Sequence, residues 1–70
     1  MERSFVSSTN LTSVGYEPST ETLEIKFRSG GIYQYFNVPP ESYQALMNAS
    51  SKGSYHAAHI KNRYPYRKVH

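Results

Sequence analysis

Polar and apolar residues alternate most strictly from Thr22 to Arg28, in the run Thr22-Leu23-Glu24-Ile25-Lys26-Phe27-Arg28. Leu23, Ile25 and Phe27 face one way; Glu24, Lys26 and Arg28 face the other. This period-two pattern is that of a half-buried antiparallel strand with a solvated outer face. Ser29-Gly30-Gly31 interrupts it, and a second β-prone run, Ile32-Tyr33-Gln34-Tyr35-Phe36-Asn37-Val38, follows. The two runs predict a hairpin. A three-residue loop, with Gly31 at positive φ, pairs Phe27 with Tyr33 and Ile25 with Tyr35. The tyrosines then share the core face, and Gln34 faces water. A four-residue loop pairs Phe27 with Ile32 and turns both tyrosines outward, because a one-residue slip reverses every side chain. The first register is preferred, since it leaves Gln34 as the exposed residue. Upstream, Leu11 to Tyr16 reads as a weaker strand in which Gly15 marks a bulge. Glu17-Pro18-Ser19-Thr20 then makes a turn.

The period changes after Pro39-Pro40, which ends the strand because proline has no amide to give a ladder. Pro40 to Ala49 reads as a helix, with proline in the first turn and Glu41 beside the positive dipole end. Tyr43, Leu46 and Met47 form its apolar stripe. A shorter helix is expected over Tyr55 to Asn62, capped by Ser54 or Ser51 and stopped by Tyr64-Pro65. Its inward face would be Ala57, Ile60 and Tyr64. Tyr66 to His70 is either a short edge strand or a tail. The expected fold is α+β: a three-stranded antiparallel sheet, with a short fourth C-terminal strand if the tail pairs, covered by two short helices in the order β-β-β-α-α(-β). Residues 1–10 form a flexible lead-in pinned at Phe5, and residues 11–70 form a single domain.

The chain has 70 residues, so only one small core can form, and with no cysteine neither a disulfide nor a thiolate metal site is available to brace it. No apolar run approaches the roughly 18 residues of a membrane span, and Met1 to Val6 lacks the apolar stretch of a signal peptide. A soluble, cytoplasmic protein is the expectation. Seven tyrosines in so short a chain suggest a thin core whose rings reach the surface. Charge is lopsided. Met1 to Ala49 carries three bases (Arg3, Lys26, Arg28) and five acids (Glu2, Glu17, Glu21, Glu24, Glu41), a balance of −2. Ser50 to His70 carries five bases (Lys52, Lys61, Arg63, Arg67, Lys68) and no acid, a balance of +5. Such asymmetry points to a polyanionic partner.

Catalytic chemistry finds little support. His56 and His59 lie three residues apart, but with no acid after Glu41 they read as two surface histidines, not as part of a zinc site. Ser50, Ser51 and Ser54 lie close to them, yet the chain has no aspartate to orient a histidine base. No catalytic residue, metal or cofactor is therefore expected. Ser50-Ser51-Lys52-Gly53-Ser54 could hold a phosphate on its amides, hydroxyls and Lys52, or could simply connect the helices. The richest cluster interleaves cations and rings: Lys61, Arg63, Tyr64, Tyr66, Arg67 and Lys68. Single-stranded nucleic acid asks for this combination, cations for phosphates and flat rings for bases.

The order of these motifs resembles the KTSC domain. The resemblance rests on Thr22 to Phe27 followed by Ser29-Gly30, on Tyr33-Gln34-Tyr35, Val38-Pro39 and Ala49-Ser50-Ser51-Lys52-Gly53, and on Ile60 with Tyr64. It spans Leu11 to Val69. This family is a module of about sixty residues, found at the C-terminus of some lysyl-tRNA synthetases and as stand-alone bacterial and phage proteins. It implies a Tyr-x-Tyr centre, here Tyr33 and Tyr35, and a Ser-x-Gly element, here Ser51 and Gly53. The family has no established function; the synthetase association implies RNA. The expectation is a non-enzymatic module binding RNA or another polyanion, with Lys52, Lys61, Arg63, Arg67 and Lys68 on phosphates and Tyr64 and Tyr66 offering stacking or hydroxyl contacts. Five such contacts would give a log K against log salt slope near about −3.5. The alternative is a protein-interaction or self-assembly module that pairs through its sheet edges.

Overall fold

The computed structural model describes Met1–His70. The sheet has five antiparallel strands in sequential order: β1 (Ser4–Phe5), β2 (Leu11–Glu17), β3 (Thr22–Phe27), β4 (Ile32–Tyr35) and β5 (Tyr66–Lys68). Two helices, α1 (Pro40–Asn48) and α2 (Lys52–His59), come between β4 and β5. The architecture is α+β as expected, but the sheet is wider than three strands. The lead-in supplies the extra N-terminal strand, and the C-terminal segment pairs with β4. No helix is long and apolar enough to cross a membrane.

A single core explains the pairing. Leu11, Val14, Leu23, Ile25, Tyr35 and Val38 bury against Leu46 of α1 and Ile60, which caps α2. Leu11 and Val14 are three apart, which a regular strand would place on opposite faces. The register shifts between Leu11 and Ser13, and this bulge brings both onto the core face. Gly15 is not the bulge. A Cβ there would lie 2.3 Å from the Glu2 carbonyl oxygen, so this glycine is where the N-terminal segment crosses closely over β2.

The β3–β4 hairpin keeps the tyrosines on the core face but shifts the pairing by two residues. Ile25 pairs with Tyr33 and Leu23 with Tyr35. The loop is three residues long, Arg28-Ser29-Gly30, closed by hydrogen bonds between Phe27 and both Gly30 and Gly31. Gly30, not Gly31, adopts the positive φ of 109°. A slip of two preserves the faces, which is why the alternation read the orientation correctly and the partners wrongly.

Three further expectations are corrected. Phe5 does not pin the lead-in; it is 86% exposed. Arg3 does so, bonding Ser13 and pairing with Glu24. Glu24 is not solvated but buried on the outer face, where Gln34 also donates to it. Burial raises the Glu24 pKa, but the bonds from Gln34 and Arg3 and the Arg3 charge outweigh it and leave the carboxyl below its ordinary value. Helix α2 begins three residues early, because Ser51 supplies the cap by accepting from the Ser54 amide. The shift turns Ala57 outward and His56 inward.

Candidate functional site

Where β4, β5, the β3–β4 turn and the end of α2 meet, the surface opens into a groove of about 270 Å³. Tyr33 and Tyr35 enter it from β4, Tyr66 from β5, Phe27 and Ser29 from the hairpin, and His56 and Lys61 from the helical side. Ladder geometry sets the rings. Tyr66 lies opposite Tyr35 across the β4–β5 pair, so both side chains share one face. The Tyr66 ring lies 5.6 Å from that of Tyr35 and 5.9 Å from that of Tyr33. Phe27 meets Tyr33 edge-on at 5.6 Å and His56 at 5.0 Å.

The floor is a buried polar pair. Tyr35 Oη and His56 Nε2 share a hydrogen bond of 2.7 Å. Burial pushes the Tyr35 phenol up to about 12, with the Tyr33 and Tyr66 phenols adding to the rise. Burial also lowers the His56 pKa, and the nearby Lys61 cation lowers it further. At neutral pH the floor is therefore uncharged, and the charge at the groove comes from the rim. Lys61 lines it, and Lys68 pairs with Tyr33 on the same face as Tyr66. No carboxylate lines the groove.

The structure gathers some of the expected site residues and separates others. Tyr33, Tyr35, Lys61, Tyr66 and Lys68 come together. Arg67 pairs with Gln34 and so faces the opposite side of the sheet from Tyr66. Tyr64 is half-buried, its hydroxyl held by Ser42 Oγ at 2.9 Å; it lines a second hollow with Arg63 and Glu41. Lys52 starts α2, where its ammonium donates to the Ala49 carbonyl. Ser51 caps that helix, and Gly53 faces Asn10, whose amide nitrogen would lie 2.6 Å from a Cβ there. His59 is turned away from His56 and packs at a tilt against Tyr55, so the two histidines do not converge.

Sequence reasoning missed His56, Phe27 and Ser29 as groove residues. A signal for His56 was present: with the helix started at Ser51, His56 and Ile60 fall four apart on one stripe.

Comparison with known proteins agrees with this fold. The family model for the KTSC domain matches residues 7–64. An uncharacterized protein of Stutzerimonas stutzeri is 47% identical over 53 residues, covering 76% of this chain and 75% of its own length. A lysine–tRNA ligase of Nostoc is 46% identical over 54 residues, which cover 77% of this chain but 10% of the ligase. The crystal structure of a KTSC domain protein from Yersinia pestis superposes with a TM-score of 0.96 at 42% identity, covering 99% of this chain and 97% of that one. Motif order, fold and likeness in sequence all agree: this chain belongs to the KTSC domain family.

Proposed function

We propose that this protein is a non-enzymatic module that binds single-stranded RNA, taking an unstacked base into the tyrosine-lined groove. One observation carries the reading: three tyrosine rings and a phenylalanine surround a groove that has a lysine in its wall and no carboxylate. Bases stack on exposed rings regardless of sequence, and cations at the rim hold the flanking phosphates. Tyr66 is the ring best placed to stack, being 56% exposed. The likeness to a segment of lysine–tRNA ligases is consistent with an RNA partner. The reading as a binder follows from what the groove offers: the partner of His56 is a phenol rather than a carboxylate, and Ser51 and Ser54 are engaged with each other.

The test is an NMR titration with short single-stranded RNA at low salt. Shifts centred on Tyr33, Tyr35, Lys61 and Tyr66 are expected. Tyr66→Ala should weaken binding by about 1–3 kcal/mol without unfolding the domain. Unmoved groove resonances at saturating RNA would refute the proposal.

A second reading, self-association or a protein partner at the far sheet edge, has one observation in its favour: Phe5 is 86% exposed on β1. Sedimentation at two concentrations tests it. A mass that rises with concentration for the native chain but not for Phe5→Ser supports pairing there, and a constant monomer mass removes it.

A further inference from the structure

The tyrosine groove does not end at His56. A second cavity, about 320 Å³, shares Phe27, Ser29, His56 and Lys61 with it and continues between the hairpin turn and α2 toward Gly53 and Asn10. A third, about 360 Å³, shares Arg28 with the second and opens among Ser7, Ser8, Ser51 and Lys52. Shared lining residues thus place the three in a row, and no acidic residue lines any of them. Their character changes along the way. The first is aromatic. The third has no hydrophobic lining; its walls are hydroxyls and two cations, Arg28 and Lys52. The five glutamates lie elsewhere: Glu24 is locked to Arg3 on the outer face, Glu41 borders the hollow of Arg63, and Glu2, Glu17 and Glu21 line none of the three cavities.

We infer that these cavities form one continuous track for a single RNA strand. Its base-stacking end lies at Tyr33 and Tyr66, and its phosphate-binding end at Arg28 and Lys52. This rests on the RNA-binding reading above and extends it: it assigns Arg28 to the site, returns Lys52 to it, and leaves Arg63 and Arg67 outside. Gly53 has a place in the track. It lets α2 approach Asn10 so closely that the middle section is bounded on both sides. The molecule measures 28 × 24 × 22 Å, which suits a site of about four nucleotides, the low end for small single-strand-binding folds. Lys61, Lys68, Arg28 and Lys52 together predict a log K against log salt slope of about −2.8, at about 0.7 per phosphate contact.

The experiment compares uridine 5′-monophosphate with oligouridylates of two, four and six residues, by NMR titration and by anisotropy across a salt series. Affinity should rise up to the tetramer and then level. Arg28→Gln combined with Lys52→Gln should weaken the tetramer and reduce the slope by about 1.4, while leaving monophosphate binding at Tyr66 unchanged. Arg28 also donates to the Ser8 carbonyl at 3.0 Å, so a structural effect must be separated from loss of charge. Arg28→Lys keeps the charge and should retain the slope. If Arg28→Lys loses as much as Arg28→Gln, or if the double variant binds the tetramer with unchanged slope while Tyr66→Ala weakens it, the track is wrong and the tyrosine groove alone stands. If no oligomer binds the native chain at low salt, the RNA reading and the track fall together.

Discussion

The bond between Tyr35 and His56 has consequences that can be measured on the isolated chain. Both groups are buried, and each is the other's side-chain hydrogen-bond partner. Tyr35→Phe should leave His56 Nε2 unpaired and lower stability by about 1–3 kcal/mol, read from urea denaturation. His56 also makes stability depend on pH. Its folded pKa lies below its ordinary value, so the unfolded chain binds the proton more readily. The stability is fully present above the unfolded pKa of about 6.5 and is lost as pH falls through the folded pKa. Lys61 and the phenols of Tyr33, Tyr35 and Tyr66 face it across the groove. The urea midpoint should therefore fall on acidification below that point, and His56→Gln should flatten the decline. An unchanged decline in that variant would assign it to the glutamates instead. At this scale legibility was uneven. Nothing in the alternation distinguishes Glu24 from Lys26, since both point outward from β3. Glu24 is buried because Arg3, 21 residues earlier, folds back onto it.

Among the elements, glycines decide where the chain can turn and cross. Gly30 has open space around it but a φ of 109°, so Gly30→Ala introduces backbone strain and no clash. A loss of about 1–2 kcal/mol is expected, with Gly30→Asn recovering part of it, since asparagine tolerates positive φ better than alanine. Gly15→Ala works differently. Its Cβ would meet the Glu2 backbone, which cannot swing away, so β1 must move. The Val6 amide, bonded to the Thr12 carbonyl, should lose protection from hydrogen exchange, and stability should drop by about 1–3 kcal/mol. Gly53→Ala meets only the tip of the Asn10 side chain and should cost less. The hairpin and α1 could be read from periodicity because local spacing dictates them. The start of α2 could not, because Ser51 and Ser54 are both competent caps and packing against β4 chose between them.

For the molecule as a whole, charge placement matters more than charge count. Eight bases against five acids suggest a diffuse positive surface, yet folding divides the C-terminal cations between faces: Lys61 lines the groove, Lys68 shares that face of the sheet, Arg67 takes the outer side, and Arg63 a hollow beside Glu41. Arg67→Gln should therefore leave the salt dependence of RNA binding unchanged, whereas Lys61→Gln should lower the slope by about 0.7; equal effects would mean that binding tracks net charge alone. The chain's own order of residues was enough to establish the α+β class, the core faces of β3 and β4, the first helix and a family resemblance, because each follows from the spacing of neighbours a few positions apart. The fold alone decided that the lead-in and the C-terminal segment become the two sheet edges, that His56 lies beneath Tyr35, and that Arg28 and Lys52 open onto one cleft. All but the lead-in, whose Ser4 and Phe5 pair with Val14 and Ser13, join residues twenty or more positions apart, and such contacts are selected by the packing of the core, on which local periodicity is silent.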